Sequence, residues 1–138
     1  MFNRNVLAAI ILSSKDSNIK EMSDKVVELE EQGVEITPEG LHVGRTVGGW
    51  YSRDLEMYIG QLLSFGEGRY DENNKFQLYK SGRELLEEAV YSSLAEDEPD
   101  VRRICEIVGL NYSKILRNKN YRKRFEKQQS TVSVRERE

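Results

Sequence analysis

The sequence is poor in the residues that metal sites, disulfides and histidine-based catalysis require. Its 138 residues include one histidine, His42, and one cysteine, Cys105. A lone cysteine excludes an internal disulfide, and a histidine with no second histidine or cysteine nearby argues against a zinc site or a catalytic pair. The glycines before Trp50 are not followed by the Lys-Ser/Thr pair of a phosphate-binding loop. We therefore predict a protein that is not an enzyme and needs no metal ion or cofactor.

Long apolar runs are also missing. No run reaches the ~18 residues that a membrane-spanning helix needs. The longest, Val6–Leu12, is short for a signal peptide, is followed by no clear cleavage site, and fits a buried helix better. The hydrophobic share of 38% suffices for one core, and the charged share of 33% is typical of helices with solvated outer faces. We expect a cytoplasmic protein with no membrane contact.

Charge is divided unevenly along the chain, although the formal net charge is only −3. Residues 1–101 carry 10 Lys/Arg against 20 Asp/Glu, whereas residues 102–127 carry 9 Lys/Arg against 2 Glu. A segment of net charge +7 beside a body of −10 is typical of a polyanion-binding segment. The alternative is that the basic segment docks on carboxylates of the body or of a partner subunit.

Apolar residues repeat with a helical period along most of the chain, which predicts a mostly α fold with a small β-hairpin wing. The predicted helices are Phe2–Ser13, Asn18–Gln32, a third from its N-cap Ser52, a fourth from a capping box Ser81–Glu84, a fifth with Pro99 in its first turn that ends at Gly109, and a basic helix Tyr112–Lys127. Residues 34–49 predict a loop with one or two short strands, and Glu67–Tyr79 predicts a hairpin. Gln128–Glu138 has no periodicity and predicts a disordered tail.

The order helix, helix, loop, helix, hairpin, helix resembles a winged helix. The residues that carry the resemblance are Gly-Gly-Trp-Tyr-Ser-Arg-Asp-Leu at 48–55, then Ile59, Leu62, Gly66, Phe76 and Leu78, and Ser-Gly-Arg-Glu-Leu-Leu-Glu at 81–87. The pattern is similar to PadR-like regulators and to the small bacterial and archaeal proteins of the Panacea type. The resemblance implies a winged-helix-like domain over residues 1–96, followed by a basic helical extension over 97–127 and the tail at 128–138.

One helix departs from the DNA-binding members of this class. Their third helix enters the major groove with basic or amide side chains, whereas here it begins Arg53-Asp54-Leu55-Glu56. Carboxylates that face phosphates lower affinity for DNA. We therefore expect the winged-helix-like domain to serve dimerisation or partner binding, and the DNA-facing residues to lie in the later helices.

The segment Ile104–Leu116 resembles the core of a helix-turn-helix. Cys105 is the small residue where two helices cross, Gly109 supplies the left-handed turn, and Asn111 caps the second helix. The resemblance implies the following DNA-contacting residues: Arg102, Arg103, Asn111, Tyr112, Ser113, Lys114, Arg117, Lys119, Asn120, Arg122, Lys123 and Arg124. An ordinary helical corner fits the same apolar-Gly-apolar-Asn pattern.

Together these features predict a transcriptional regulator that binds duplex DNA. A homodimer is expected because one short recognition helix reads few base pairs and two half-sites extend the reading. The alternative is a protein-interaction module, such as an antitoxin-like or phage- or plasmid-encoded inhibitor or adaptor. Its acidic body would bind a protein partner, with no sequence-specific DNA binding. A third helix that is exposed and contacts another protein would favour this alternative.

Overall fold

The computed structural model describes residues 3–34, 43–46, 49–98 and 100–137. These residues form a mostly helical protein with two small antiparallel hairpins, so the predicted fold class is confirmed. The elements in chain order are α1 (Asn3–Ser13), α2 (Ile19–Glu31), β1 (Val43–Thr46), β2 (Gly49–Ser52), α3 (Arg53–Ser64), β3 (Gly68–Tyr70), β4 (Phe76–Leu78), α4 (Lys80–Ala95), α5 (Val101–Val108), α6 (Tyr112–Leu116) and α7 (Lys119–Arg137). Within those ranges, none of the helices is long and apolar enough to cross a membrane. His42 and Pro99 lie outside the described residues.

Side chains cap α2 and α3, and the cap at Ser52 was predicted as such from the sequence. The Asn18 carboxamide accepts the N–H of Glu21 at 2.9 Å and starts α2. The Ser52 hydroxyl accepts the N–H of Leu55 at 3.3 Å and starts α3. Each bond satisfies a backbone donor that the first helical turn would otherwise leave without a partner. The predicted starts of both helices are therefore confirmed.

The predicted hairpin is present as strands β3 and β4. Gly68 pairs with Leu78 and Tyr70 with Phe76. The Asp71 carboxylate accepts the backbone N–H groups of Asn73 and Lys75, each at 2.9 Å, and so fixes the turn. Phe76 also donates its N–H to the Ser17 carbonyl between α1 and α2, which joins the hairpin to the helices.

The predicted capping box at the start of α4 is wrong. The helix begins at Lys80, one residue before the predicted cap, and Tyr79 occupies the N-cap position without a side-chain bond. Ser81 instead donates its hydroxyl to the Glu67 carboxylate at 2.7 Å. The Glu67 carboxylate, just before β3, therefore takes the Ser81 hydroxyl that was expected to cap α4. Only the folded chain brings Glu67 and Ser81 together.

Helix α1 lies at the centre of the hydrophobic core. Every residue from Val6 to Ile11 is buried, because α1 packs against α2, α3, α4 and α5. Val101, Ile104 and Tyr121 of the predicted basic extension belong to the same hydrophobic cluster. The extension therefore shares the core of the body and has its position fixed by it.

The predicted basic helix Tyr112–Lys127 is wrong as a single element. It is divided into α6 and α7, which are separated at Arg117 and Asn118. Helix α7 then continues to Arg137, through the segment that the sequence predicted to be a disordered tail. Local composition therefore misplaced both the start and the end of the last helix.

Candidate nucleic-acid interface

The turn between α5 and α6 has the backbone that the helix-turn-helix pattern predicted. Gly109 adopts φ 79° and ψ 27°, a left-handed conformation that glycine enters without strain. The N–H of Leu110 bonds to the Cys105 carbonyl at 2.8 Å, and the N–H of Gly109 bonds to the Glu106 carbonyl at 3.3 Å. These two bonds form a Schellman motif, which ends α5 and turns the chain.

Apolar contacts hold α5 and α6 against the body. The buried side of α5 consists of Val101, Ile104, Cys105 and Val108, and Ile115 is the buried residue of α6. Lys25 donates its ammonium group to the carbonyl and hydroxyl of Ser13, each at 3.0 Å, and lies 3.5 Å from the Val108 carbonyl. Partial burial lowers the pKa of this amine. The corner is thus tied to the ends of α1 and α5 as well as to the core.

An asparagine that the sequence analysis missed divides the basic segment. The Asn118 carboxamide accepts the N–H of Asn120 at 3.0 Å and the N–H of Tyr121 at 3.1 Å, and so caps α7. Asn111, which was predicted to cap the second helix, precedes α6 but makes no side-chain cap bond. The preference of asparagine for N-cap positions was a signal for Asn118, but the uninterrupted run of basic residues obscured it.

Helix α7 is held on α4 by aromatic and polar contacts. Tyr121 is 3% exposed, and the centre of its ring lies 6.2 Å from that of Tyr91, while the ring centre of Phe125 lies 6.0 Å from that of Tyr91. The Tyr121 hydroxyl donates to the Glu87 carboxylate at 3.1 Å. Burial and the neighbouring Glu87 raise the pKa of Tyr121 well above its usual range.

Five of the predicted DNA-contacting residues have partners within the fold: Arg102, Arg103, Tyr112, Arg122 and Arg124. Arg103 donates to the Gln32 carbonyl at 2.5 Å, and Arg102 lies over the Tyr112 ring at 5.8 Å. Arg124 pairs with Glu88 at 2.7 Å, and this carboxylate raises the pKa of the guanidinium. Arg122 pairs with Glu126 at 3.3 Å within α7. Docking of the basic segment on body carboxylates, the alternative raised by the charge pattern, thus occurs at Arg124.

Four cations of the segment have no partner in the described part of the chain. Lys114, Arg117, Lys119 and Lys123 are exposed and make no ion pair or side-chain hydrogen bond with any residue in the described ranges. We call them the outward cations. Lys119 and Lys123 lie one turn apart on α7, opposite the Tyr121 and Phe125 side that packs on α4. Asn111, Ser113 and Asn120 are exposed on the same stretch.

The third helix presents a different surface. Leu55, Tyr58, Ile59 and Leu62 form the buried side of α3. Its exposed side includes Arg53, Glu56, Met57 and Gln61, so a carboxylate and an apolar side chain accompany the single cation. This arrangement accords with the departure from DNA-reading helices that the sequence indicated.

The chemistry of the site is that of charge and hydrogen bonding. Residues 3–34, 43–46, 49–98 and 100–137 contain no group of three or more His, Cys, Asp and Glu side chains placed to hold a metal ion. Burial raises the pKa of the Cys105 thiol to about 11, so this side chain is a protonated apolar residue of the core. The outward cations thus offer positive charge and hydrogen-bond donors to a ligand.

Comparison with models of known protein families, with characterised proteins and with solved structures returns no match.

Proposed function

We propose that this protein is a transcriptional regulator that binds duplex DNA as a homodimer through the outward cations of α6 and α7. The observation that carries the proposal is that these four side chains lie on α6, on α7 or at the break between them, on elements packed against the core, yet have no carboxylate partner in the described part of the chain. Lysine and arginine in this state are available to phosphates, and exposed amide and hydroxyl groups nearby can reach base edges. The α5–α6 corner supplies a rigid support for them.

The difference between the inner and outer sides of α7 also supports this proposal. Arg124 and Tyr121 bond to Glu88 and Glu87, so the inner side of α7 uses its charge and hydrogen bonds to dock. Lys119 and Lys123 on the outer side have no such role in the fold. A helix that served only to cover the acidic side of α4 would not need cations on its solvent side.

Removal of the outward cations is expected to weaken DNA binding strongly. The variant K114Q/R117Q/K119Q/K123Q should bind a labelled random-sequence duplex on the order of 100-fold more weakly in low salt, measured by fluorescence anisotropy. The reason is that four phosphate contacts release about 0.9 counterion each, which also gives the wild type a slope of about −4 in log affinity against log salt for each protomer.

A matched control separates local contacts from net charge. The variant K20Q/R53Q/R69Q/K80Q removes four exposed cations of the body and lowers the formal net charge from −3 by the same four units. We expect it to retain wild-type affinity to within a few-fold. Equal losses in both variants, or full binding by the first, would show that the outward cations are not the DNA-contacting group.

One observation favours the protein-interaction alternative. Phe65 is 78% exposed and Leu85 50% exposed, and the two side chains line one shallow pocket between the end of α3 and the first turns of α4. Exposed apolar side chains that lie together mark protein contacts. In the proposed regulator this patch is where a second copy of the chain packs, whereas in the alternative another protein covers it.

Substitution within this patch is expected to change the oligomeric state. The double variant F65S/L85S should run as a monomer in light scattering and bind duplex more weakly, whereas the wild type should be a dimer. The control M57S changes an exposed apolar side chain of α3 that does not line this pocket. A wild type that is monomeric at all concentrations and does not bind duplex would favour the alternative function.

A further inference from the structure

A cleft lies between the body and the α5–α6 corner. It is bounded by the end of α1, strand β4, the first turns of α4, and the turn at Gly109 together with α6 as far as Ile115. Its volume is about 760 Å³, and small-molecule sites in proteins occupy about 300–1,000 Å³. Leu12, Leu78 and Leu110 are half-buried against the core and give the cleft apolar walls.

Three cations from three different elements surround these apolar walls. Lys15 follows α1, Arg83 lies in the first turns of α4, and Lys114 lies in α6. All three are exposed, and within the described ranges none has an ion pair or side-chain hydrogen bond. Their convergence depends on the tertiary fold, because they are far apart in the sequence.

The carboxylates that line the same cleft are already engaged. Asp16 accepts the Gln77 amide at 2.5 Å, and Glu87 accepts the Tyr121 hydroxyl at 3.1 Å. Each carboxylate therefore stabilises the fold, while the cations beside them are left to act on whatever enters the cleft. The cleft thus has three cationic side chains and two carboxylates. Among these five groups, only the carboxylates have side-chain hydrogen bonds within the described ranges.

We propose that this cleft is a binding site for a small organic anion with an apolar body. The apolar part would pack on the three leucines, and the carboxylate, sulfonate or phosphate group would bond to Arg83 and Lys15, with Lys114 closing the site from the corner. A guanidinium can hold such an oxyanion through two parallel hydrogen bonds. Burial of the apolar part supplies affinity that a simple inorganic anion would not gain.

Occupation of the cleft has a consequence that rests on the proposed function. Lys114 is both a wall of the cleft and one of the outward cations, so a bound anion would neutralise part of the DNA-binding surface. Duplex affinity should then fall several-fold when the cleft is saturated, and it should not fall in a variant that cannot bind the anion. The site itself is tested without DNA, so its failure and the failure of the proposed function are distinguishable.

The test uses 8-anilinonaphthalene-1-sulfonate, an apolar aromatic anion, and its uncharged analogue N-phenyl-1-naphthylamine as probes. We expect saturable binding of one anion per chain, with amide chemical-shift changes confined to residues 11–16, 76–78, 83–87 and 109–115. The uncharged probe should bind at least 10-fold more weakly. K15Q/R83Q should weaken anion binding by at least 10-fold, while the control K20Q/R69Q, which removes two exposed cations outside the cleft, should bind as the wild type does.

Three outcomes would overturn the proposal. One is a set of shifts centred on Phe65 and Leu85, which would place the probe on the other apolar pocket. Another is equal affinity for the charged and uncharged probes, since the three cations would then contribute nothing. The last is an equal loss in K15Q/R83Q and in its control while both variants unfold at the wild-type temperature, because the effect would then follow net charge alone.

Discussion

Replacing Gly82 with alanine is expected to destabilise the protein by about 3 kcal/mol, the upper part of the range for overpacking a close contact. A Cβ atom at this position would lie 2.1 Å from the Glu67 carbonyl oxygen and 3.0 Å from its carbonyl carbon. The carbonyl cannot easily withdraw, because it accepts the N–H of Tyr79 at 2.9 Å. Helix α4 and the start of the hairpin would have to separate at Glu67. Because α4 also packs against α6 and α7, this shift would disturb the packing of those helices as well.

Helix propensity alone predicts the opposite sign for this change. Alanine is more favourable than glycine in a helix by about 1 kcal/mol. Gly60 provides the control, because it lies within α3 and a Cβ there would meet no atom of the described residues within 4 Å, apart from its chain neighbours and the adjacent backbone of its own helix. Chemical denaturation should show Gly60→Ala as neutral to stabilising and Gly82→Ala as strongly destabilising. Stabilisation by both would mean that the close approach of α4 to Glu67 is absent.

Replacing Tyr121 with alanine is expected to release α7 from the body. The side chain is almost fully buried, packs on Tyr91 and bonds to Glu87, and truncation of a buried aromatic residue costs about 3–5 kcal/mol. Hydrogen exchange should accelerate over residues 119–129 more than in α1. Duplex affinity should fall on the order of 10-fold, because Lys119 and Lys123 would no longer be held beside α6.

Tyr121→Phe is the matched control for this second prediction. It keeps the ring contacts and removes only the hydroxyl that bonds to Glu87, which is expected to cost about 1 kcal/mol. Its hydrogen exchange in α7 and its duplex affinity should stay close to those of the wild type. If Tyr121→Ala exchanged no faster in α7 than in α1, the docking of α7 would not depend on this aromatic contact.

Features that depend on a few neighbouring residues could be predicted from the sequence. Asn18 and Ser52 cap helices, Gly109 makes the left-handed turn, and Asp71 fixes the hairpin turn, because each acts on backbone groups within four residues. The burial of α1 also followed from its unbroken apolar run. In each case the deciding interaction was local or could be read from hydrophobicity.

Features decided by distant residues could not be predicted in this way. Ser81 bonds to Glu67 in place of capping α4, and the inner side of α7 docks on Glu87 and Glu88, more than thirty residues earlier in the chain. The sequence therefore placed eight of the nine basic residues of the segment among the predicted DNA contacts. The fold separates them into those that bond within the molecule and the outward cations, a distinction that charge counting cannot make.

The cleft was not predicted for the same reason. Lys15 and Arg83 lie in parts of the chain where acidic residues dominate, and nothing near them in the sequence links them to Lys114. Only the packing of α4 against α1 and α6 brings the three cations around one apolar surface.

In the proposed function, DNA contacts this protein at α6 and the outer side of α7. The most direct measurement is the titration of isotope-labelled protein with a short duplex, followed by amide and side-chain chemical shifts. We expect the largest changes at residues 111–123, including the side-chain signals of Lys114, Lys119 and Lys123, and little change over residues 53–64. Changes concentrated in α3, with none in α6 or α7, would contradict it.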